Sequence, residues 1–384
     1  MSLHHLGGSV RSRLPEQTRA WLWPLLERCG VTRVARITGL DDIGIPVSVA
    51  VRPLSRTLSV SQGKGLTETL ADISAAMESV ELWHAETLPP SALRATTREL
   101  LGGRALLDVT QLKPGRFPHT TNLHALETGW HEGLSLADGR AVLVPELCCV
   151  LRDDEPRPAA RAYLHTSNGL ASGNTLAEAS AHALLEVIER DASARHAARS
   201  VDERAAREVA LDSLDGAAAE LCERVRVAGH WLRLWEETSA VGVPAFGCEL
   251  GGGAELRELT RFAGYGAHFD RGVAACRAIT EAAQSRLTMI AGSRDDMQPW
   301  SYDAARLDVS RGLALADQRP TGGRPFAACA ESIDVPSFER GLDELVARLA
   351  AAGLEQVVRV DLTRADVGVP VAFVFVPGAL EALS

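Results

Sequence analysis

The chain has 384 residues, of which 46% are hydrophobic and 23% charged, a composition typical of a globular protein with one large or two fused domains. Its formal net charge of −10 argues against a nucleic-acid-binding surface, because contact with a phosphate backbone requires dense Lys and Arg. The seven cysteines include no CxxC pair, which argues against a zinc site, and their odd number argues against a complete disulfide framework.

The sequence also lacks the signals of export and membrane insertion. Residues 1–17 (MSLHHLGGSVRSRLPEQ) do not contain the apolar run of a signal peptide. No stretch approaches the roughly 20 apolar residues that span a bilayer. We therefore expect a cytoplasmic protein with reduced, buried thiols and no membrane segment.

Apolar spacing and turn residues divide the first half of the chain into helices and strands. In order, these are a helix at residues 15–30, a β-hairpin at 31–53, a glycine turn at 61–65 that opens a helix at 66–86, and strands at 104–112 and 141–151. The polar, proline-containing run LRDDEPRPAARA at residues 151–162 predicts a surface loop.

The second half of the chain continues the mixture. In order, the predicted elements are a helix at residues 175–198, a helical segment at 202–229, a strand region at 231–250 with a break at Pro244, helices at 271–291 and 338–352, and strands at 356–362 and 369–377. Residues 292–330 show no periodicity and predict an exposed loop or a substrate-facing lid. Together the elements predict an α/β or α+β fold with antiparallel strands.

One sequence pattern occurs twice, and it contains the candidate functional residues. Residues 63–81 (GKGLTETLADISAAMESVE) and 171–189 (ASGNTLAEASAHALLEVIE) each have a glycine turn, a helix of small residues, and two glutamates three positions apart. A shift of 108 residues places Gly65 on Gly173, Glu78 on Glu186 and Glu81 on Glu189. The repetition predicts duplicated subdomains whose equivalent helices pack together.

Glutamates at positions i and i+3 share a helix face, with Cβ atoms about 5–6 Å apart. Because small and apolar residues surround both pairs, a cation that offsets the repulsion is the simplest explanation for them. Glu281 follows a third alanine-rich helical turn and supplies a fifth carboxylate. The five carboxylates predict Mg²⁺ ions bound to a triphosphate, with Arg190 and Arg286 available for phosphate contact.

A solvated helix face without a ligand is the alternative interpretation of each glutamate pair, and it is the common one for a single helix. Two pairs at corresponding positions favour a functional role. Lys64 lies in a GKG run and resembles a phosphate-binding lysine, but the pattern GxxxxGK[ST] is absent, so a P-loop is excluded.

Three stretches of the chain resemble YcaO-domain proteins. They are SNGLASGNTLAEASAHALLEVIERDA at Ser167–Ala192, the stretch from TRVARITGLDDIGIPV to ELWHAE at Thr32–Glu86, and VDLTRADVGVPVAFVFVPG at Val360–Gly378. The resemblance spans almost the whole chain, and the SNG…SGN…E…ExxER motif is long enough to be specific. It implies an α/β YcaO fold around a central Mg-ATP site without Walker motifs, with residues 1–60 as an N-terminal segment and 61–384 as the domain core.

The resemblance also implies roles for individual residues. The glutamates that it assigns to Mg²⁺ are Glu78, Glu81, Glu186, Glu189 and Glu281. The residues that it assigns to ATP are Lys64, Ser74, Asn174, Glu178, Arg190 and Arg277. The chain has Ala171 where some members have serine and Arg277 where some have glutamine, and neither change removes a carboxylate.

Members of this family activate a backbone amide by phosphorylating its oxygen after a nucleophile has added to its carbon, which gives an azoline, an amidine or a thioamide. This chain ends VFVPGALEALS rather than in a proline-rich PxPxP tail, and its length leaves no room for a fused partner domain, so azoline formation is disfavoured. The runs RVARITGLDDIGIPV and SVSQGKG look like members that work with a TfuA partner and an external sulfur donor. The resemblance therefore favours thioamide formation on a ribosomally made peptide or protein.

Two alternatives stay open at this point. One is an azoline- or amidine-forming cyclodehydratase, and the other is a non-catalytic, ATP-binding accessory factor for ribosomal-protein methylthiolation. The retained glutamates favour catalysis. A homodimer is left open as well.

Overall fold

The computed structural model describes residues 3–112, 123–151, 166–252, 261–297 and 323–381. The predicted loop at 151–162 lies outside these residues except for Leu151, and so does most of the predicted loop or lid at 292–330. The chain forms two compact units. The first comprises the described parts of Met1–Pro53, Leu58–Ser79 and Ala192–Val335, and the second those of Leu54–Thr57, Val80–Asp191 and Pro336–Ser384.

The described residues form helices and strands in mixed order. The α-helices are α1 (Pro15–Leu22), α2 (Glu68–Glu86), α3 (Thr97–Leu100), α4 (Glu146–Cys149), α5 (Leu176–Ala197), α6 (Val201–Ala205), α7 (Gly216–Val227), α8 (Arg271–Ala291) and α9 (Phe338–Ala351). The strands are β1 (His4–His5), β2 (Val10–Arg11), β3 (Arg33–Arg36), β4 (Val47–Val51), β5 (Val60–Lys64), β6 (Arg94–Ala95), β7 (Thr128–Ser135), β8 (Ala141–Pro145), β9 (Leu170–Ser172), β10 (Trp231–Glu236), β11 (Ala245–Gly251), β12 (Arg261–Ala267), β13 (Val358–Asp361) and β14 (Val371–Phe375). Within the described ranges no helix is long and apolar enough to cross a membrane.

The first unit contains two three-stranded antiparallel sheets, and each is followed along the chain by a long helix. Strands β3, β4 and β5 precede α2, and strands β10, β11 and β12 precede α8. A Cβ on Gly63 of β5 would overlap the backbone of Ala75 in α2. A Cβ on Gly264 of β12 would overlap the backbone of Ala282 in α8 in the same way. In both assemblies, a strand glycine therefore permits a close approach of the helix that carries a candidate glutamate.

The hydrophobic core of the first unit holds α8 in place. Its buried side chains include Leu221 of α7, Leu234 of β10, Phe246 of β11, Phe262 of β12 and Ile279 of α8. Full burial of each such large side chain contributes about 1.5–3 kcal/mol. The position of Glu281, two residues after Ile279, is fixed by this packing.

The second unit is built on one antiparallel sheet. Its strands are ordered β6-β7-β13-β14-β9, and β8 pairs with β7. Every residue of β14 is buried, and the rings of Phe373 and Phe375 stack with centroids 4.7 Å apart. Strand β9 leads through Gly173 into α5, which repeats the order of strand, glycine and helix seen at β5, Gly65 and α2. The predicted mixed fold with duplicated subdomains is confirmed.

Most of the predicted helices and strands are present, and the errors have local causes. The predicted helix at 15–30 becomes a 3₁₀ helix from Trp23 to Cys29, where Pro24 cannot donate a helical hydrogen bond. The predicted turn at 61–65 is wrong, because residues through Lys64 belong to β5. The predicted strand at 104–112 is also wrong, since it contains a short 3₁₀ helix at Val109–Gln111. The helical segment at 202–229 contains two separate helices, α6 and α7.

Candidate functional site

Three predicted site residues of the first unit lie close together. Lys64, the last residue of β5, forms an ion pair with Glu281 of α8. The carboxylate of Glu78 in α2 accepts a hydrogen bond from the backbone N–H of Gln62, and it is near enough to both partners to interact with their charges. The pKa of Glu78 is raised from 4.5 to about 7, mainly by burial and to a smaller degree by the charge of Glu281, while the charges of Arg294 and Lys64 oppose the increase.

This charge distribution fits a bound cation. A carboxyl group with a pKa of about 7 is only partly ionised at neutral pH, so the cations nearby do not fully compensate its burial. A hard divalent ion such as Mg²⁺ prefers carboxylate oxygens and would supply the missing charge. Within the described residues of either unit, however, no three or more His, Cys, Asp or Glu side chains are grouped as metal ligands. The assignment of five glutamates to Mg²⁺ therefore stays a prediction.

Arg294 is a residue of this cluster that the sequence pattern did not indicate. It follows α8, two positions beyond the left-handed C-cap Gly292, and its Nε donates to Asp296 at 2.9 Å. Its charge lowers the pKa of Glu78. Its sequence neighbours are two aspartates, which predict only a surface ion pair. Ser74, predicted at the nucleotide, lies one helical turn before Glu78 on α2 and is half-buried.

A second group of basic side chains surrounds His268, at the start of α8. Burial, followed by the charges of Arg277, Arg11 and His5, lowers the pKa of His268 to about 3. The ring is neutral, and its Nδ1 accepts a hydrogen bond from the backbone N–H of Asp270 at 2.9 Å. The structure thus brings Arg11, on the N-terminal hairpin, near the predicted nucleotide ligand Arg277. The sequence analysis did not indicate Arg11.

In the second unit, Glu81 and Glu178 have defined hydrogen-bond partners. Glu81 accepts from the backbone N–H and from the Oγ of Ser172 in β9, at 2.8 and 2.7 Å. Glu178 is only 1% exposed, and both of its carboxylate oxygens lie 3.2 Å from the Nδ2 of Asn174. Ser172 was not predicted as a site residue, although it lies in the SGN run of the sequence motif.

The remaining predicted residues, Glu186, Glu189 and Arg190, lie in the middle of α5. Arg190 and Glu186 are separated by four positions, with Nη2 and Oε1 3.9 Å apart. Both side chains are partly exposed, whereas Glu189 is buried.

One other candidate from the sequence, Arg286, and two neighbouring cysteines have structural roles. Arg286 is 1% exposed and lies 3.4 Å from Asp41, so it forms a buried ion pair rather than a phosphate contact. Burial raises the pKa of the Cys148 and Cys149 thiols well above the usual range. Both are therefore protonated at neutral pH and poor nucleophiles.

Comparison with known families identifies the fold that carries these residues. The model of the family described as YcaO cyclodehydratase, ATP- and Mg²⁺-binding, matches residues 62–380. The chain belongs to the YcaO family. An uncharacterized protein from the tfuA 3′ region of Rhizobium leguminosarum bv. trifolii is 36% identical over 96% of this chain and 88% of its own length. An uncharacterized protein of Methanothermobacter thermautotrophicus is 34% identical over 96% of this chain and 94% of its own length.

Solved structures show the same YcaO fold. The structure of YcaO from Methanopyrus kandleri, bound with AMPPCP and Mg²⁺, is 27% identical, with a TM-score of 0.76 over 99% of this chain and 95% of that chain. A heterocyclase in complex with substrate and cofactor is 23% identical, with a TM-score of 0.78 over 97% of this chain and 53% of that chain. The second likeness shows the fold alone. The predictions of the YcaO family, and of ATP and Mg²⁺ as its cofactors, are confirmed.

Proposed function

We propose that this YcaO protein uses ATP and Mg²⁺ to phosphorylate the oxygen of a peptide backbone amide, and that it forms a thioamide with a TfuA-like partner and a sulfur donor. The observation that supports this best is the cluster of Lys64, Glu78 and Glu281, in which the charge of the half-buried Glu78 carboxylate is only partly compensated. The cluster belongs to a family whose model describes ATP and Mg²⁺ binding. A divalent ion would supply the positive charge that the cluster lacks.

Each predicted residue has a proposed task at the nucleotide. The proposed Mg²⁺ ligands are Glu78, Glu81, Glu186, Glu189 and Glu281. The proposed nucleotide contacts are Lys64, Ser74, Asn174, Glu178, Arg190 and Arg277. We add Arg11 to this proposal, because its charge and that of Arg277 both act on His268. When bound, Mg²⁺ neutralises charge on the transferring phosphoryl group. The arginines donate to phosphate oxygens through charge-assisted hydrogen bonds.

The proposed reaction turns a poor leaving group into a good one. Hydrosulfide sulfur adds to the amide carbon, and the carbonyl π electrons move to oxygen. That oxygen attacks the γ-phosphorus of ATP, and the bond to ADP breaks. The C–O bond then breaks with loss of inorganic phosphate, while sulfur loses its proton and forms the C=S bond. The protein contributes positioning and preorganised charge rather than a covalent intermediate.

Thioamide formation is favoured over cyclodehydration by gene context. The Rhizobium relative is named for its location in the tfuA 3′ region, which supports a TfuA-like partner for this chain as well. Cyclodehydration is the second candidate, because the family model is described as a cyclodehydratase and the fold is shared with a heterocyclase.

Mass spectrometry of a candidate peptide separates these functions. The full-length protein would be incubated with Mg-ATP, sulfide, a TfuA-like protein and a candidate peptide. The proposal predicts a product heavier by the difference between sulfur and oxygen. A product lighter by one water indicates cyclodehydration instead. Nucleotide binding without any change in peptide mass indicates an accessory role and contradicts the proposal.

A further inference from the structure

The second unit contains a small cavity at the end of β14. It is partly open, has a volume of about 80 Å³, and combines apolar and polar walls of similar extent. The apolar side chains include Leu112, Val187, Phe373, Phe375 and Ala379. Its polar side chains are Gln111, Thr166, Asn168 and Glu381. An apolar wall with a few polar groups at defined positions is the usual form of a site for a small organic group.

The pairing of β9 with β14 ends at Gly169, beside this cavity. Gly169 has φ of 86°, and a Cβ there would overlap the carbonyl oxygen of Val374. The carbonyl oxygen of Gly169 accepts a hydrogen bond from the backbone N–H of Val374 at 2.8 Å. The pairing of this segment with β14 ends there. Strand β9 pairs with β14 only from Leu170 onward, so the end of β14 lines the cavity rather than continuing that strand pair.

Asn168 provides the cavity with an unused hydrogen-bond acceptor. Its Oδ1 is buried and has no hydrogen-bond partner among the described residues. Its backbone N–H donates to the Oγ1 of Thr166 at 3.2 Å, and that hydroxyl donates to Glu381 at 2.9 Å. The polar side of the cavity therefore offers acceptor oxygens, which match a ligand that carries an N–H donor.

The size of the cavity restricts its occupant. An engineered apolar cavity of about 150 Å³ holds benzene, so a pocket of about 80 Å³ suits a branched aliphatic group better than an indole ring. We propose that the cavity is a subsite for the peptide substrate, which takes a Val- or Leu-sized side chain while the peptide N–H donates to Asn168. Val187 of its wall lies between Glu186 and Glu189 on α5, beside proposed metal ligands. The subsite rests on the proposed function, because it names the side-chain class of that substrate.

Methyl NMR of the full-length protein tests this subsite without the natural peptide. The probe is N-acetyl-L-leucinamide, and the comparison probes are N-acetylglycinamide and N-acetyl-L-tryptophanamide. We expect the Leu probe alone to shift the Val187 methyl signals in a saturable manner. Absence of such a shift, or equal shifts with the Gly probe, would overturn the proposal.

Three variants distinguish this cavity from other surfaces. Ala379→Leu fills it from a half-buried position and should weaken binding of the Leu probe about tenfold or more. The same substitution at exposed Ala351 at the end of α9 is the matched control and should have no effect. Asn168→Ala should weaken binding about 3- to 10-fold through loss of one hydrogen bond. Unchanged binding in Ala379→Leu would contradict the assignment.

An enlarging variant covers the case in which Ala379→Leu does not fold. Cys148→Ala removes the sulfur from the wall and should shift the preference toward N-acetyl-L-phenylalaninamide. An unchanged preference would count against the cavity as the binding site. Mg-AMPPCP binding, measured on the same wild-type sample, separates the two proposals. A protein that binds AMPPCP but does not bind the Leu probe would overturn the subsite proposal alone. A protein that binds the Leu probe but does not bind AMPPCP would overturn the proposed function.

Discussion

Glu78 carries a structural cost that a nucleotide-binding role explains. Its half-buried carboxyl lies near a second carboxylate, Glu281, and has a pKa raised to about 7 by burial. Residues selected for binding a ligand often destabilise the free protein in this way. In the free protein, Glu78 is therefore expected to be less favourable than an uncharged residue of the same shape.

The first prediction follows from replacing Glu78 by glutamine at pH 8. We expect Glu78→Gln to increase the free energy of unfolding of the free protein by about 1–2 kcal/mol, because a buried charge is removed. Mg-AMPPCP binding should weaken about tenfold or more, because a metal ligand is lost. Urea unfolding and calorimetry measure the two effects. The matched control is Glu344→Gln on α9, where the glutamate pairs with Arg348. Loss of stability together with unchanged binding would assign Glu78 a purely structural role.

The second prediction concerns the acid sensitivity that His268 introduces. Its pKa is about 3 in the native protein but near 6.5 in the unfolded chain, so the unfolded chain takes up this proton at a higher pH than the native protein does. Above pH 6.5 this histidine does not reduce the free energy of unfolding, because it is neutral in both states. Between pH 6.5 and 3 the free energy of unfolding decreases as the pH falls. The loss amounts to about 2 kcal/mol at pH 5.

His268→Asn tests this directly, because the Oδ1 of asparagine can accept the Asp270 N–H without taking up a proton. We expect the stability difference between pH 7 and pH 5, measured by urea unfolding, to shrink by about 2 kcal/mol in the variant. Other buried histidines, including His196 with a pKa lowered to about 4, keep part of the acid sensitivity. An unchanged pH dependence in His268→Asn would refute the assignment.

At the scale of single residues, the sequence predicted the acidic members of the site better than the basic ones. Glu78 belongs to a glutamate pair that recurs in a repeated pattern, and Glu281 follows a similar alanine-rich helical turn, so both were identifiable without coordinates. Arg11 and Arg294 belong to no such pattern. Each is far in sequence from the side chain on which its charge acts, Arg11 from His268 and Arg294 from Glu78, so only the folded structure shows that they are close. Arg286 failed as a phosphate ligand because its partner, Asp41, is remote in sequence.

At the scale of secondary structure, the position of α8 depends on a glycine beneath it. Gly264 of β12 lies against the backbone at Ala278 and Ala282, where no side chain fits. Displacement of α8 would move Glu281 and Arg277 together, because both lie on this helix.

The third prediction is that Gly264→Ala lowers the free energy of unfolding by about 1–3 kcal/mol, since the added methyl group forces the strand and helix apart. The matched control is Gly103→Ala, at an exposed position where the nearest atom to a new Cβ is 3.9 Å away. The control should change stability by no more than about 0.5 kcal/mol. Equal effects of the two substitutions in urea unfolding would contradict the packing account.

The long helices were predictable at this scale because start and stop signals enclose a regular apolar pattern. Helix α8 begins after the N-cap Asp270 and ends at Gly292, as its sequence indicates. Strand β5 was not predictable, because SQGKG contains turn-forming residues. Its glycine is present for the approach of α2, a tertiary reason that a local pattern does not reveal. The boundary between the predicted N-terminal segment 1–60 and the core 61–384 stays a prediction.

At the scale of the whole molecule, an acidic protein of net charge −10 is proposed to act on a polyanionic nucleotide. Long-range repulsion between the two is reduced only if a divalent cation accompanies the nucleotide. Nucleotide affinity should therefore depend strongly on Mg²⁺, and the glutamates should be responsible for this dependence.

Calorimetric titration of AMPPCP with and without Mg²⁺ tests this central claim most directly, using the wild type, Glu186→Gln and the control Glu344→Gln. We predict binding by the wild type and the control only when Mg²⁺ is present, and affinity reduced about tenfold or more in Glu186→Gln. Binding by the wild type that is indifferent to Mg²⁺, or wild-type affinity in Glu186→Gln, would contradict the account.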